Sequence, residues 1–199
     1  MRIDDFIRAV EGEPERAVTW AVRAPSAQTL EAASRSGGMS LTDFLSEPMK
    51  VESRRVRFGH VLGPPASREA VEGWHGRRAS RQLPVDLLAL VERVNGIHLW
   101  ANLETGRSYA GMAPIEEWDL ARVKMYGARA DEALLDDRYV ALTYHRDGAS
   151  FVVLDVASGG YFLMDVAGPD ESTPIGKNAD DLLDWLWRSR IPPRDEGAL

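Results

Sequence analysis

The side chains that could carry chemistry in this sequence are few and scattered. Four histidines, His60, His75, His98 and His145, stand far apart with neither HxxxH nor HExxH spacing, so a histidine metal centre would have to be assembled wholly by the fold. His98 and His145 fall in expected strands and read as packed or edge residues. Asp180, Asp181 and Asp184 share one helical turn and could hold Mg²⁺ through two carboxylates. The better reading is plainer, because acids at a helix start are stabilised by the helix dipole. Gly176-Lys177-Asn178 resembles the end of a phosphate loop, but Glu171 stands where the motif requires glycine and Asn178 where it requires Ser or Thr. No G-x-S-x-G marks a nucleophile elbow, and the chain has no cysteine, which removes thiolate metal sites, disulfides and cysteine nucleophiles together. The expectation is therefore no catalytic residue, no cofactor site and no metal site.

The acidic residues group more suggestively. Glu116, Glu117 and Asp119 flank Trp118, and Asp131, Glu132, Asp136 and Asp137 follow within one stretch. Together these eight residues are the expected partner-binding set. Each group also has an ordinary explanation, the first as an acidic helix start and the second as a solvated loop. Charge distribution favours the patch. Net charge is −7, but residues 1–49 contribute −3, residues 50–82 contribute +5, and residues 83–199 contribute −9. An acidic carboxy-terminal half repels phosphate backbones and attracts basic partners, so a protein partner is expected and nucleic acid is not. Trp185 and Trp187 point to opposite sides of one helix, which leaves one of them for an interface or a sheet edge. Trp74, Trp100 and Trp118 read as core or rim residues.

These groups need a scaffold, and 199 residues with 44% hydrophobic and 28% charged side chains suffice for one principal domain. Residues 1–50 read as a helical extension: Ile3, Phe6, Ile7 and Val10 share a helical face, and Val18, Val22 and the run 26–34 continue it. Arg54 to Leu62 reads as a strand with Val56, Phe58 and His60 on one side, stopped by Gly63-Pro64-Pro65. Ser67 caps a helix through Ala70, Val71 and Trp74, and Arg77, Arg78 and Arg81 form a basic cluster after it. Residues 83–96, LPVDLLALVERVNG, give the clearest helix: Pro84 suits its first turn, Leu87, Leu88, Val91 and Val94 form its buried stripe, and Gly96 closes its end. Strands follow at 97–101 and 109–115, then a helix starting at Glu116.

From Tyr139 the pattern changes to three β runs, YVALTYH, SFVVLDV and YFLMDV, separated by Asp147-Gly148 and Ser158-Gly159-Gly160. They predict an antiparallel meander. Its runs are apolar at nearly every position, so both faces should be covered, one by core helices and the other partly by the amino-terminal segment. Asn178 to Trp187 closes the domain as a helix, and residues 191–199 read as a frayed tail. No stretch is apolar enough for a membrane span and the start is broken by charge, so the expectation is a cytoplasmic protein without membrane contact.

The helix LPxDLLxLVxxxNGI, a strand, Pro114-Ile115 with Trp118, the meander with Gly148, Asp155 and Gly159, and the terminal DLLDWLW follow in an order that resembles the SUKH superfamily. That group includes the yeast cell-wall assembly regulators and many bacterial proteins. The resemblance covers about residues 67–188. It does not extend to the first 50 residues, and GWHGRRASRQ replaces the acidic helix usual before the Leu-Pro step.

The resemblance implies an α+β fold: a central, mostly antiparallel sheet with the carboxy-terminal three-stranded meander, flanked by helices, over residues 51–190. It also implies a function, because most bacterial members look like immunity proteins that bind and neutralise a polymorphic toxin. A basic toxin domain of the nuclease or deaminase class would suit an acidic surface. An intracellular adaptor binding an endogenous protein, or an enzyme with unmarked catalytic residues, are the alternatives.

Overall fold

The structure, a computed structural model, describes residues 1–24, 50–77, 82–106, 108, 110–127, 130, 135–144, 150–165 and 172–195. It is α+β, as the sequence predicts, with two antiparallel sheets in place of one central sheet. The first has the order β1 (Arg16–Ala24), β2 (Lys50–Leu62), β3 (Ile97–Asn102), β4 (Ala110–Met112). The second runs in chain order through β5 (Asp119–Leu120), β6 (Tyr139–Tyr144), β7 (Ser150–Asp155), β8 (Gly160–Asp165) and β9 (Thr173–Gly176). The helices are α1 (Ile3–Gly12), α2 (Arg68–Arg77), α3 (Val85–Val91), α4 (Ala121–Tyr126) and α5 (Ala179–Ser189). Among the described residues no helix is long and apolar enough to cross a membrane.

The amino-terminal helix forms as its periodicity requires, with Phe6 and Val10 buried and Ile3 and Ile7 packed beside them. Its expected continuation does not form. Val18 and Val22 lie in β1, which pairs antiparallel with β2 from Arg16↔Phe58 to Ala24↔Lys50. The physical reason is the alternation of Val18 and Trp20 with smaller or polar neighbours. That period of two suits a pleated strand, and it sets Val18 directly opposite Val56. The first sheet therefore joins residues from both sides of the expected boundary at residue 50. The helix expected over 26–34 lies outside the described residues.

The rest of the scaffold follows the sequence closely. In β2, Val56 and Phe58 are buried and the side chain of His60 is almost wholly so, all on one side. Ser67 Oγ accepts the Ala70 amide at the start of α2, and Trp74 is buried. Helix α3 follows Pro84 but ends at Val91, short of the expected end at Gly96, and it buries Leu87, Leu90 and Val91, with Leu90 in place of the expected Leu88, which is only partly buried. Gly96 takes a φ of +105° at the turn into β3. At that turn the Gly63 amide, just after β2, donates to the Gly96 carbonyl at 2.8 Å. A Cβ on Gly63 would lie 2.0 Å from the Asn95 carbonyl oxygen, so only glycine permits this approach.

The meander forms as β6, β7 and β8, and all six residues of β7 are buried. Val140, Leu142, Val152, Leu154 and Tyr161 join Phe6, α3, β3 and the Leu182, Leu183 and Leu186 stripe of α5 in the main core. Ala141, Phe151, Val153 and Met164 make a second, smaller cluster with Ala121, Met125 and Leu135. Among the described residues that second face is covered by α4, whereas α1 joins the main core. Burial on both faces explains why the alternation expected of a half-exposed strand is absent here.

Two local readings are corrected. Residues 115–117 form a single 3-10 turn, and Asp119 already belongs to β5, so no helix starts at Glu116. The tail is not frayed through its first half: Asp195 Oδ1 accepts the Thr19 amide at 2.7 Å and holds residues 191–195 against β1.

Candidate functional site

The short strand β5 separates the two expected acidic groups along one sheet edge. Its residues Asp119 and Leu120 pair antiparallel with Ala141 and Val140 of β6, so the segment before β5 runs toward the Thr143 end of β6, where Glu117 and Thr143 line one small cavity. The ion pair of Arg122 with Asp137 lies at the opposite end, beside the turn that precedes β6. Glu116, Glu117 and Asp136 are exposed, and Asp119 and Asp137 are partly so. Asp131 and Glu132 lie outside the described residues.

Several of these acids also hold the local backbone. Asn95 is buried, accepts the Ile115 amide at 2.7 Å and donates to Glu116 at 2.8 Å, so Glu116 satisfies a core polar group. Asp119 accepts the Leu120 amide and Asp136 the Arg138 amide. Trp118 is corrected as a surface residue: it is 3% exposed, and its indole donates to the Ala113 carbonyl at 2.7 Å. It is a core residue, in line with its core-or-rim reading, and it leaves the expected partner-binding set.

A second constellation was not assembled by sequence reasoning. Glu13, just after α1, His60 of β2 and Arg190, just after α5, meet in one cluster. His60 Nε2 lies 3.1 Å from Glu13 Oε2, and Arg190 Nε donates to the same oxygen at 3.0 Å. The His60 side chain is 1% exposed, and its Nδ1 accepts the Trp100 amide at 3.1 Å. These contacts fix the tautomer: Nδ1 takes a hydrogen bond and carries no proton, so Nε2 bears the hydrogen and donates to Glu13. Burial lowers the His60 pKa, helped by the nearby Arg190 and Arg16 and opposed by Glu13. Burial alone would raise Glu13, but its hydrogen bonds to His60 and Arg190 hold the carboxyl below its usual range.

Aromatic rings enclose the cluster. Trp100 lies 4.4 Å from the His60 ring, centroid to centroid, and the Arg190 guanidinium sits 3.4 Å over Trp187. Trp187 also meets Phe6 edge-on at 5.9 Å. It and Trp185 are both partly buried and pack on the main core. Trp100 has φ of +52°, a conformation that costs a non-glycine residue about 1–3 kcal/mol. Its indole N–H is buried without a hydrogen-bond partner among the described residues.

No known family model and no curated protein matches this chain.

Its chemistry therefore rests on geometry alone. With Nδ1 held by a backbone amide and Nε2 by a carboxylate, His60 offers neither nitrogen to a substrate, and the cluster reads as a buried fastening between chain ends. Among the described residues no group of three or more His, Asp or Glu side chains is placed to hold a metal. Asp181 is used by the Lys177 amide and Asp184 pairs with Arg188, consistent with the helix-start reading of this acidic run. His98 is a partly buried strand residue, while His145 lies outside the described residues. The signal for the missed cluster was partial. Alternation in β2 placed His60 beside Val56 and Phe58, but nothing local ties Glu13 to a residue 177 positions later.

Proposed function

We propose that this chain is a cytoplasmic, non-catalytic protein-binding module of the immunity type, which neutralises a basic toxin domain of the nuclease or deaminase class by occupying it. The observation behind this reading is the β5–β6 edge, where Glu116 and Glu117 stand exposed toward one end of the strand pair and Asp136 toward the other. Acids spread along one edge give a basic partner an oriented electrostatic target, which raises association rates and suppresses wrong partners. The order of motifs resembling the SUKH superfamily supports the same reading. So does His60, the most deeply buried histidine side chain of the α1–β2–α5 junction, whose two nitrogens are both occupied within the protein.

On this reading the neighbouring open reading frame should encode a secreted, modular toxin, and the test is co-expression with it. The chain should rescue growth and co-purify with the toxin in a fixed ratio. The double substitution Glu117→Lys with Asp136→Lys should slow association on the order of tenfold at low salt, with a smaller effect at high salt. Thermal unfolding of that variant checks that the fold persists. Rescue without a stable complex would point to an enzyme, and a complex indifferent to the double reversal would remove the β5–β6 edge from the interface.

A further inference from the structure

One face of the β1–β2 ribbon differs from the rest of this acidic molecule. Cross-strand pairing sets Arg16 opposite Phe58, Val18 opposite Val56 and Trp20 opposite Arg54. Val18, Val56, Phe58 and Trp100 form a small apolar cluster there, separate from the main core, with Trp20 packed against it. The tail crosses this face, held by the Asp195–Thr19 hydrogen bond. Between tail and sheet lies a groove of about 430 Å³, walled by Trp20, Phe58 and Trp100 on one side and by Pro192, Pro193 and Arg194 on the other. That volume falls within the range of small-molecule sites.

Three features define what would fit. The walls are aromatic and prolyl, and Trp20 and Phe58 are already tilted against each other with centroids 5.4 Å apart, which favours a flat, apolar body. The charge is positive: neither Arg194 on the rim nor Arg16, whose guanidinium lies 5.0 Å from the Trp100 ring, has an acidic partner among the described residues. The acid in the lining, Asp195, has one oxygen committed to the Thr19 amide. Finally, Trp100 carries two costs, a left-handed backbone and an indole N–H without a partner among the described residues, and such costs gather where proteins bind ligands.

We propose that this groove binds a small aromatic carboxylate, its ring against Trp20 and the two prolines and its carboxylate on Arg194. The site is distinct from the β5–β6 edge and stands or falls independently of it.

Titration with 2-naphthoate, followed by calorimetry and by intrinsic tryptophan fluorescence, tests the proposal, with neutral 2-naphthamide as the comparison. The expected result is saturable one-to-one binding of naphthoate, and weaker binding of the amide. Arg194→Gln should weaken naphthoate on the order of tenfold and leave the amide unchanged, since it removes a charge-assisted hydrogen bond. Trp20→Ala should weaken both. Arg194 is exposed, so its substitution spares the fold, and thermal unfolding checks Trp20→Ala. Absence of saturation at millimolar naphthoate overturns the proposal, as does equal binding of acid and amide with no response to Arg194→Gln.

Discussion

His60 couples the left-handed backbone of Trp100 to the protonation state of one ring. A proton on Nδ1 would confront the Trp100 amide, which now donates to that nitrogen, and would place a cation beside Arg190 and Arg16 in a buried site. The folded state therefore resists a proton that the unfolded chain accepts near the ordinary histidine pKa of 6.5. It follows that this part of the stability is complete above about pH 6.5 and is lost as the pH falls below it toward the depressed folded value. Glu13, also depressed, acts in the same direction at lower pH, below its ordinary 4.5. Urea midpoints should fall between pH 7.5 and 5.5, and His60→Gln, which cannot titrate, should flatten that fall while lowering stability at pH 7.5. An unchanged slope in the variant would assign the pH dependence elsewhere.

The elements were legible where their signals are local. The stripe of α3, the turn at Ser158-Gly159 and the Asn178 cap of α5, whose side chain accepts the Asp181 amide, all depend on residues within a turn of one another. Strand β1 was not, because its partner begins 26 residues after it ends and its short alternation competes with a helical reading between two prolines. Glu116-Glu117 misled for the opposite reason: acids that suit a helix start also serve a 3-10 turn, and the deciding contact is with Asn95, far back in the chain. That contact makes a test of how the joint after α3 is held. Asn95→Ala leaves the Ile115 amide without its acceptor in a buried position and should cost about 2–3 kcal/mol in denaturant unfolding. Glu116→Gln keeps an acceptor for Asn95 and should cost less than about 0.5 kcal/mol. Equal losses would mean that the turn depends on the Glu116 charge.

At the scale of the whole molecule, the chain is closed by its two ends. Phe6 meets Trp187, Glu13 accepts from Arg190, Thr19 donates to Asp195, and the amino-terminal ammonium donates to the Asp180 carbonyl at 2.8 Å. These contacts link the first twenty residues to the last, so the amino-terminal segment is part of the folded body. Deleting residues 190–199 isolates the contribution of the tail. It removes Arg190 from Glu13 and from the Trp187 ring, and it frees the Thr19 amide. The Glu13–Arg190 pair is mostly shielded from water, at 18% and 21% exposure, so its loss exceeds that of a surface ion pair. The truncated chain should unfold about 3 kcal/mol more easily, a fall in Tm on the order of 6–12 °C for a chain of this size. Hydrogen exchange locates the cause: the Thr19 amide should lose protection while the amides of β7 keep theirs. A tail that merely frays would leave both the Tm and the Thr19 exchange rate where they are in the full chain, and that result would dissolve the tail's part in the closure and the groove that depends on it.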